Sequence, residues 1–129
     1  MAGKNILLVE DNAVNRRLAG FLLRSQGYEV REATTATEAF EMLKGDQPDL
    51  IVMDIQLPGM DGLEVTKKLK EQPATADIPI IAVTSYAMKG DREKALAAGC
   101  AGYVTKPIDK KIFIEEVAAR LGDKAKSEG

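Results

Sequence analysis

Histidine and tryptophan are absent from these 129 residues, cysteine occurs once, and aromatic residues make up only 5% of the chain. Without histidine there can be no Ser-His-Asp triad, no His-ligated zinc site and no phosphorylatable histidine. The lone Cys100 cannot close an intrachain disulfide. No charge dominates: 18 Lys and Arg stand against 20 Asp and Glu, a net −2. That balance gives no basic footprint for a nucleic-acid backbone, and the missing Trp thins the groups on which bases stack. No apolar run approaches the ~20 residues that cross a bilayer. The opening Met1-Ala2-Gly3-Lys4-Asn5 carries no signal-peptide apolar stretch. Direct nucleic-acid binding and a membrane role are therefore not expected, and the expected compartment is cytoplasmic.

What the chain does have is three short apolar runs, Ile6-Leu7-Leu8-Val9, Leu50-Ile51-Val52-Met53 and Ile80-Ile81-Ala82-Val83. Unbroken and rich in branched residues, they read as strands buried on both faces. The alternating Glu29 to Ala33 suits an edge strand, and Gly102-Tyr103-Val104-Thr105 is a short fifth. Between them the apolar positions take a helical period: Val14, Leu18, Phe21 and Leu22, then Ala36, Ala39, Phe40 and Leu43. Thr35 with Glu38, and Asp61 with Glu64, have capping-box spacing, and Gly27 and Gly45 punctuate two helix ends. Further helices are expected over Asp91 to Ala98 and after Asp109, the last carrying Phe113, Val117 and Leu121. Strand and helix alternate five times, which predicts a three-layer α/β/α sandwich around a five-stranded parallel sheet. One domain is expected over residues 1–121, with 122–129 a polar tail that frays.

In open parallel sheets, functional groups collect beyond the carboxyl ends of the strands. Those ends carry Glu10-Asp11, Asp54, Thr84-Ser85 and Thr105-Lys106-Pro107. Singly, each has a plain structural role: Asp11 as a helix cap, Asp54 as an acceptor for loop amides, Thr84 as a strand end, Lys106 as a solvated charge. Together they converge. Clustered carboxylates repel unless a cation or proton intervenes, and a hard divalent ion such as Mg2+ suits carboxylates, a carbonyl and water while leaving room for a phosphate oxygen. Neither a Rossmann nor a P-loop glycine pattern is present.

Five motifs carry a family resemblance: Leu8-Val9-Glu10-Asp11-Asn12, Asp49 to Asp54, Leu57-Pro58-Gly59-Met60-Asp61-Gly62, Ile80 to Thr84 and Tyr103-Val104-Thr105-Lys106-Pro107. In this order, over Lys4 to Leu121, the chain resembles the receiver domains of two-component response regulators, related to the bacterial chemotaxis regulator. The resemblance implies the flavodoxin-like strand order 2-1-3-4-5. It also implies that Asp54 is the phosphoacceptor and that Asp11 and Asp54 ligate Mg2+ with the backbone carbonyl of Gln56, Glu10 acting through water. Lys106 would contact the phosphoryl group, Thr84 would turn its hydroxyl toward it, and Tyr103 would be the aromatic switch. Gln56 and Tyr86 would modulate phosphate lifetime, and Lys106-Pro107 would be a cis peptide.

The implied partners are a sensor histidine kinase or a histidine phosphotransfer protein, which supplies the phosphohistidine this chain lacks. A downstream protein would bind the surface of the fourth helix, fifth strand and fifth helix. A stand-alone signalling module that promotes its own phosphorylation and dephosphorylation is expected, monomeric or dimerising on phosphorylation, rather than an enzyme. The alternatives are a receiver excised from a hybrid kinase or multidomain regulator, a small Mg-dependent phosphatase, and a flavodoxin-like cofactor binder.

Overall fold

The computed structural model describes residues 4–57, 60–84 and 90–122. In chain order the elements are β1 (Asn5–Val9), α1 (Ala13–Ser25), β2 (Glu29–Ala33), α2 (Ala36–Met42), β3 (Leu50–Asp54), β4 (Gln56–Leu57), β5 (Met60–Asp61), α3 (Gly62–Glu71), β6 (Ile80–Thr84), α4 (Asp91–Ala98), β7 (Gly102–Thr105) and α5 (Lys110–Leu121). Tyr86, Gly59 and the polar tail from residue 123 lie outside the described residues.

The three apolar runs become β1, β3 and β6, and every residue of β3 and β6 is buried. Five parallel strands form one sheet in the order β2-β1-β3-β6-β7, which is 2-1-3-4-5 for the five long strands. The alternating segment does lie at an edge. Beyond these, β4 and β5 form a two-residue antiparallel ladder.

Register divides the sheet's side chains between two cores. Ala33, Val9, Met53, Ala82 and Tyr103 form one lateral row, on the face packed by Ala36 and Ala39 of α2, Val65 and Leu69 of α3 and Ala95 of α4. The other face carries Ile6, Leu8, Val52, Ile81 and Val104 beneath Leu22 and Leu23 of α1 and Phe113 and Val117 of α5. Both faces are therefore covered, as a parallel sheet of unbroken apolar strands requires.

Helix α1 departs from its apolar pattern. Of Val14, Leu18, Phe21 and Leu22, only Leu22 is buried; Val14 is 73% exposed and Phe21 67%. The face toward the sheet is Ala19, Gly20, Leu22 and Leu23, whose small residues let the helix lie close. Two of the caps depart in detail. Asn12 caps α1, its Oδ1 accepting from Asn15 N at 3.0 Å, so Asp11 is not spent on that role. At α2, Thr35 Oγ1 accepts from Glu38 N, but the Glu38 carboxylate reaches back to Thr34 N and Oγ1, both at 2.6 Å. Asp61 caps α3 through Leu63 N at 2.8 Å.

At the outer edge of β2, Arg24 Nη2 donates to Val30 O at 3.1 Å. Cys100 is buried and free, as expected of a small core residue. Among the described residues, no helix is long and apolar enough to cross a membrane.

Candidate functional site

The sheet's hydrogen bonding runs one residue past β1 and β7. Glu10 N donates to Ala33 O at 3.0 Å, and Lys106 N to Thr84 O at 2.7 Å. These bonds hold Glu10 and Lys106 at the carboxyl rim, with Asp54 as the last residue of β3 between them. Glu10, Asp54 and Lys106 are thus brought together, although the strands that carry them are not all neighbours.

Glu10 and Asp54 are 3% and 2% exposed. Burying two carboxylates side by side is costly unless each finds partners. Lys106 Nζ lies 2.9 Å from Glu10 Oε1 and 3.2 Å from Asp54 Oδ2. Asn12 N donates to Glu10 Oε2 at 3.1 Å, and Gln56 N to Asp54 Oδ1 at 2.9 Å. The Asp54 carboxylate therefore does serve a loop amide with one oxygen, while the other faces the ammonium. Lys106 is not a solvated charge.

Charge is nonetheless unevenly satisfied. Burial first, and then contact with the Asp54 carboxyl, push Glu10 up to about 7, against the pull of Lys106 and Asn12. For Lys106, burial acts to lower the ammonium's pKa, but its bond to Glu10 and the charge of Asp54 outweigh that and raise it. One ammonium thus faces two buried acids, and one acid answers by holding its proton more tightly.

Asp11 completes the group. Its carboxylate and those of Glu10 and Asp54 offer oxygens that all lie within 4.8 Å of one another, and Asp11 itself is exposed. An all-oxygen set with two buried members and one open to solvent has the donor chemistry of a hard divalent cation.

Gly62 sets the rear wall. A Cβ there would collide with Ile55 Cα and come 2.7 Å from Asp54 O, while Gly62 N donates to Ile55 O at 3.0 Å. Close backbone approach, rather than a turn conformation, is what requires glycine here. Thr84, 1% exposed, ends β6. It follows Ala82 by two residues, so it shares a sheet face with Tyr103, the register partner of Ala82. Tyr103 is half-buried against the core of that face. The Lys106-Pro107 peptide is cis.

One participant was not singled out from the sequence. Arg16 Nη1 donates to the carbonyls of Glu10 at 3.1 Å and Asp11 at 3.2 Å. Its Nε lies 3.4 Å from Glu32 Oε1. The available signal was weak: a cation five residues after the second of two adjacent acids.

A family model described as the response regulator receiver domain matches residues 6–118. The chain is 46% identical over 120 residues to the polar-differentiation response regulator DivK of Brucella ovis, spanning 93% of this chain and 98% of that protein. Among solved structures it resembles a CheY-like response regulator receiver domain protein of Methanospirillum hungatei, with a TM-score of 0.85 and 30% identity over 94% of this chain and 95% of that one. A third relative is the receiver domain of the sensor histidine kinase PA1611 of Pseudomonas aeruginosa, with a magnesium ion coordinated in its active site cleft. That match has a TM-score of 0.85 and 37% identity, covering 95% of this chain and 100% of that one. By the family model over residues 6–118 and its 46% identity to a response regulator over 93% of its length, the chain belongs to the response regulator receiver domain family.

Proposed function

We propose that this receiver takes a phosphoryl group onto Asp54 from a histidine kinase or histidine phosphotransfer protein and thereby switches a protein-binding surface. The observation that carries the reading is the Asp54 carboxylate between Lys106, 3.2 Å away, and the Glu10 and Asp11 oxygens within 4.8 Å. A carboxylate nucleophile with an ammonium beside it, and oxygens that would hold a divalent cation, is what phosphoryl transfer needs.

An oxygen of Asp54 attacks the phosphorus of the donor's phosphohistidine. The P–N bond breaks with its electron pair going to the imidazole, which takes a proton from solvent, and the new P–O bond leaves an acyl phosphate. As a carboxylate, Asp54 needs no general base, consistent with a chain that contains no histidine. Asp11 and Asp54, with the main-chain carbonyl of Gln56, would hold Mg2+, and Glu10 would act on it through water. The chemistry the ion supplies there is neutralisation of phosphoryl charge. Lys106 neutralises a further phosphoryl oxygen, leaving its present carboxylate partners to do so. The Thr84 hydroxyl turns to the new acceptor, and Tyr103 on the same face moves in behind it, shifting the surface of α4, β7 and α5 that a downstream protein reads. Gln56 and Tyr86 govern how readily water reaches the acyl phosphate.

The donor docks at the rim where α1 begins. The exposed stripe of Val14, Leu18 and Phe21 on that helix suits an apolar helical face of the donor. A cytoplasmic module of this kind is favoured over a Mg-dependent phosphatase by the family match.

Intact-mass measurement after incubation with Mg2+ and a small acyl phosphate tests the reading. One added phosphoryl group is expected on the parent and none on Asp54→Ala or with chelator. Equal modification of Asp54→Ala would overturn it.

A further inference from the structure

We propose that Arg16 is a positioning residue for the cation site, fixing the direction of the Asp11 carboxylate. This rests on the reading of the acidic rim as a Mg2+ site.

Asp11 lies in the short connection between β1 and α1 and is exposed, so packing alone does not hold it. Two peptide planes flank its Cα: one contains the Glu10 carbonyl, the other the Asp11 carbonyl. Arg16 Nη1 bonds both oxygens, at 3.1 and 3.2 Å. Because each peptide unit is planar and rigid, pinning both carbonyls fixes φ and ψ of Asp11 and hence the direction of its Cα–Cβ bond. The Cα–Cβ bond is thereby aimed so that the carboxylate comes within 4.8 Å of the Glu10 and Asp54 oxygens before any cation arrives.

The clamp is itself anchored. Arg16 Nε lies 3.4 Å from Glu32 Oε1, and the second oxygen of Glu32 lies 3.0 Å from Arg24 Nη2. Arg24 in turn bonds Val30 O on β2. Gly20 leaves space for this pair: a Cβ there would come 3.0 Å from Arg24 Nη1 and 3.2 Å from Glu32 Oε2. The guanidinium is thus tied through its planar fork to the metal loop on one side and to the sheet edge on the other. An ammonium cannot reproduce that geometry, although it carries the same charge.

This last point separates positioning from plain electrostatics. A positive charge near the rim opposes cation binding, so if charge were all that mattered, Arg16→Gln would bind Mg2+ more tightly and Arg16→Lys equally. Positioning predicts weaker binding in both.

The experiment is calorimetric titration of the metal-free protein with Mg2+ for the parent, Arg16→Lys, Arg16→Gln and Glu32→Gln, each first checked by thermal melting. Both Arg16 variants are expected to raise the Mg2+ Kd about tenfold, the lower end of the effect seen when outer partners of metal ligands are removed. Glu32→Gln should move it less, in the same direction. The Mg2+ dependence of phosphorylation by a small acyl phosphate should shift to higher concentration in step, with most of the lost rate recovered at saturation. A lower melting temperature with an unchanged Kd, or a tighter Kd for Arg16→Gln, would overturn the positioning role while leaving the parent's site intact. A parent that binds no Mg2+ would overturn the reading of the rim and this role with it.

Discussion

Lys106 and Glu10 belong to opposite halves of the sheet, yet Nζ and Oε1 meet at 2.9 Å across its carboxyl rim. The strands that deliver them, β7 and β1, are separated by β6 and β3. The same ammonium reaches Asp54 on the way. A single side chain thus compensates two buried acids, and among the described residues its loss would leave both without a cation.

Replacing Lys106 by Met should therefore destabilise the metal-free protein by about 3 kcal/mol at pH 8, the scale for breaking a buried ion pair by removing one partner. The cost should shrink by pH 5, where Glu10 takes up a proton and one of the two charges disappears. Urea unfolding at both pH values checks this. An equal cost at pH 5 and pH 8 would show that Lys106 matters through packing alone.

Glu10 carries its own signature. Its folded pKa, about 7, lies above the ordinary value of 4.5 because the group is buried beside Asp54. Its favourable contribution is complete below pH 4.5 and is lost as pH rises through 7, since the folded state binds the proton more tightly than the unfolded chain. Glu10→Gln has no proton to lose. Its melting temperature in chelator, relative to the parent, should rise across that window and level off above it.

Phe21→Ala tests the exposed face of α1. Since the side chain is 67% exposed, stability should change by no more than about 0.5 kcal/mol, as for most surface substitutions. Transfer from a phosphohistidine protein that phosphorylates the parent should slow about tenfold, as loss of an aromatic anchor does at protein interfaces. Phosphorylation by a small acyl phosphate should be unaffected. Equal slowing with both donors would locate the effect in the rim rather than in docking.

Gly62→Ala places a methyl group against Ile55 Cα and Asp54 O. Backbone cannot yield as a flexible side chain would, so a loss of about 2 kcal/mol is expected from overpacking. The displaced β3 terminus should also slow phosphorylation of Asp54. Thermal unfolding and intact mass, read together, check both effects.

Much of this was legible in the chain. Leu50 to Met53 announced a strand covered on both sides because no polar residue interrupts it, and Asp54 directly after it marked the rim. The α1 face was harder. Val14, Leu18 and Phe21 have the spacing of a core stripe, and hydrophobicity alone cannot distinguish a face turned inward from one turned outward. What decides is the neighbouring stripe of Ala19, Gly20, Leu22 and Leu23, whose two small residues allow the closer approach to the sheet. The capping of α1 by Asn12 rather than Asp11 depended on a one-residue offset that two adjacent acceptors leave open. Arg16, Glu32 and Arg24 lie on two different elements, and nothing local announces that they meet.

The guanidinium of Arg24 on the outward carbonyl of Val30 has a wider effect. A bare strand at the border of a sheet invites another chain to zip alongside, often irreversibly. With that acceptor occupied from its own helix, one rung on which such a chain would zip is already taken.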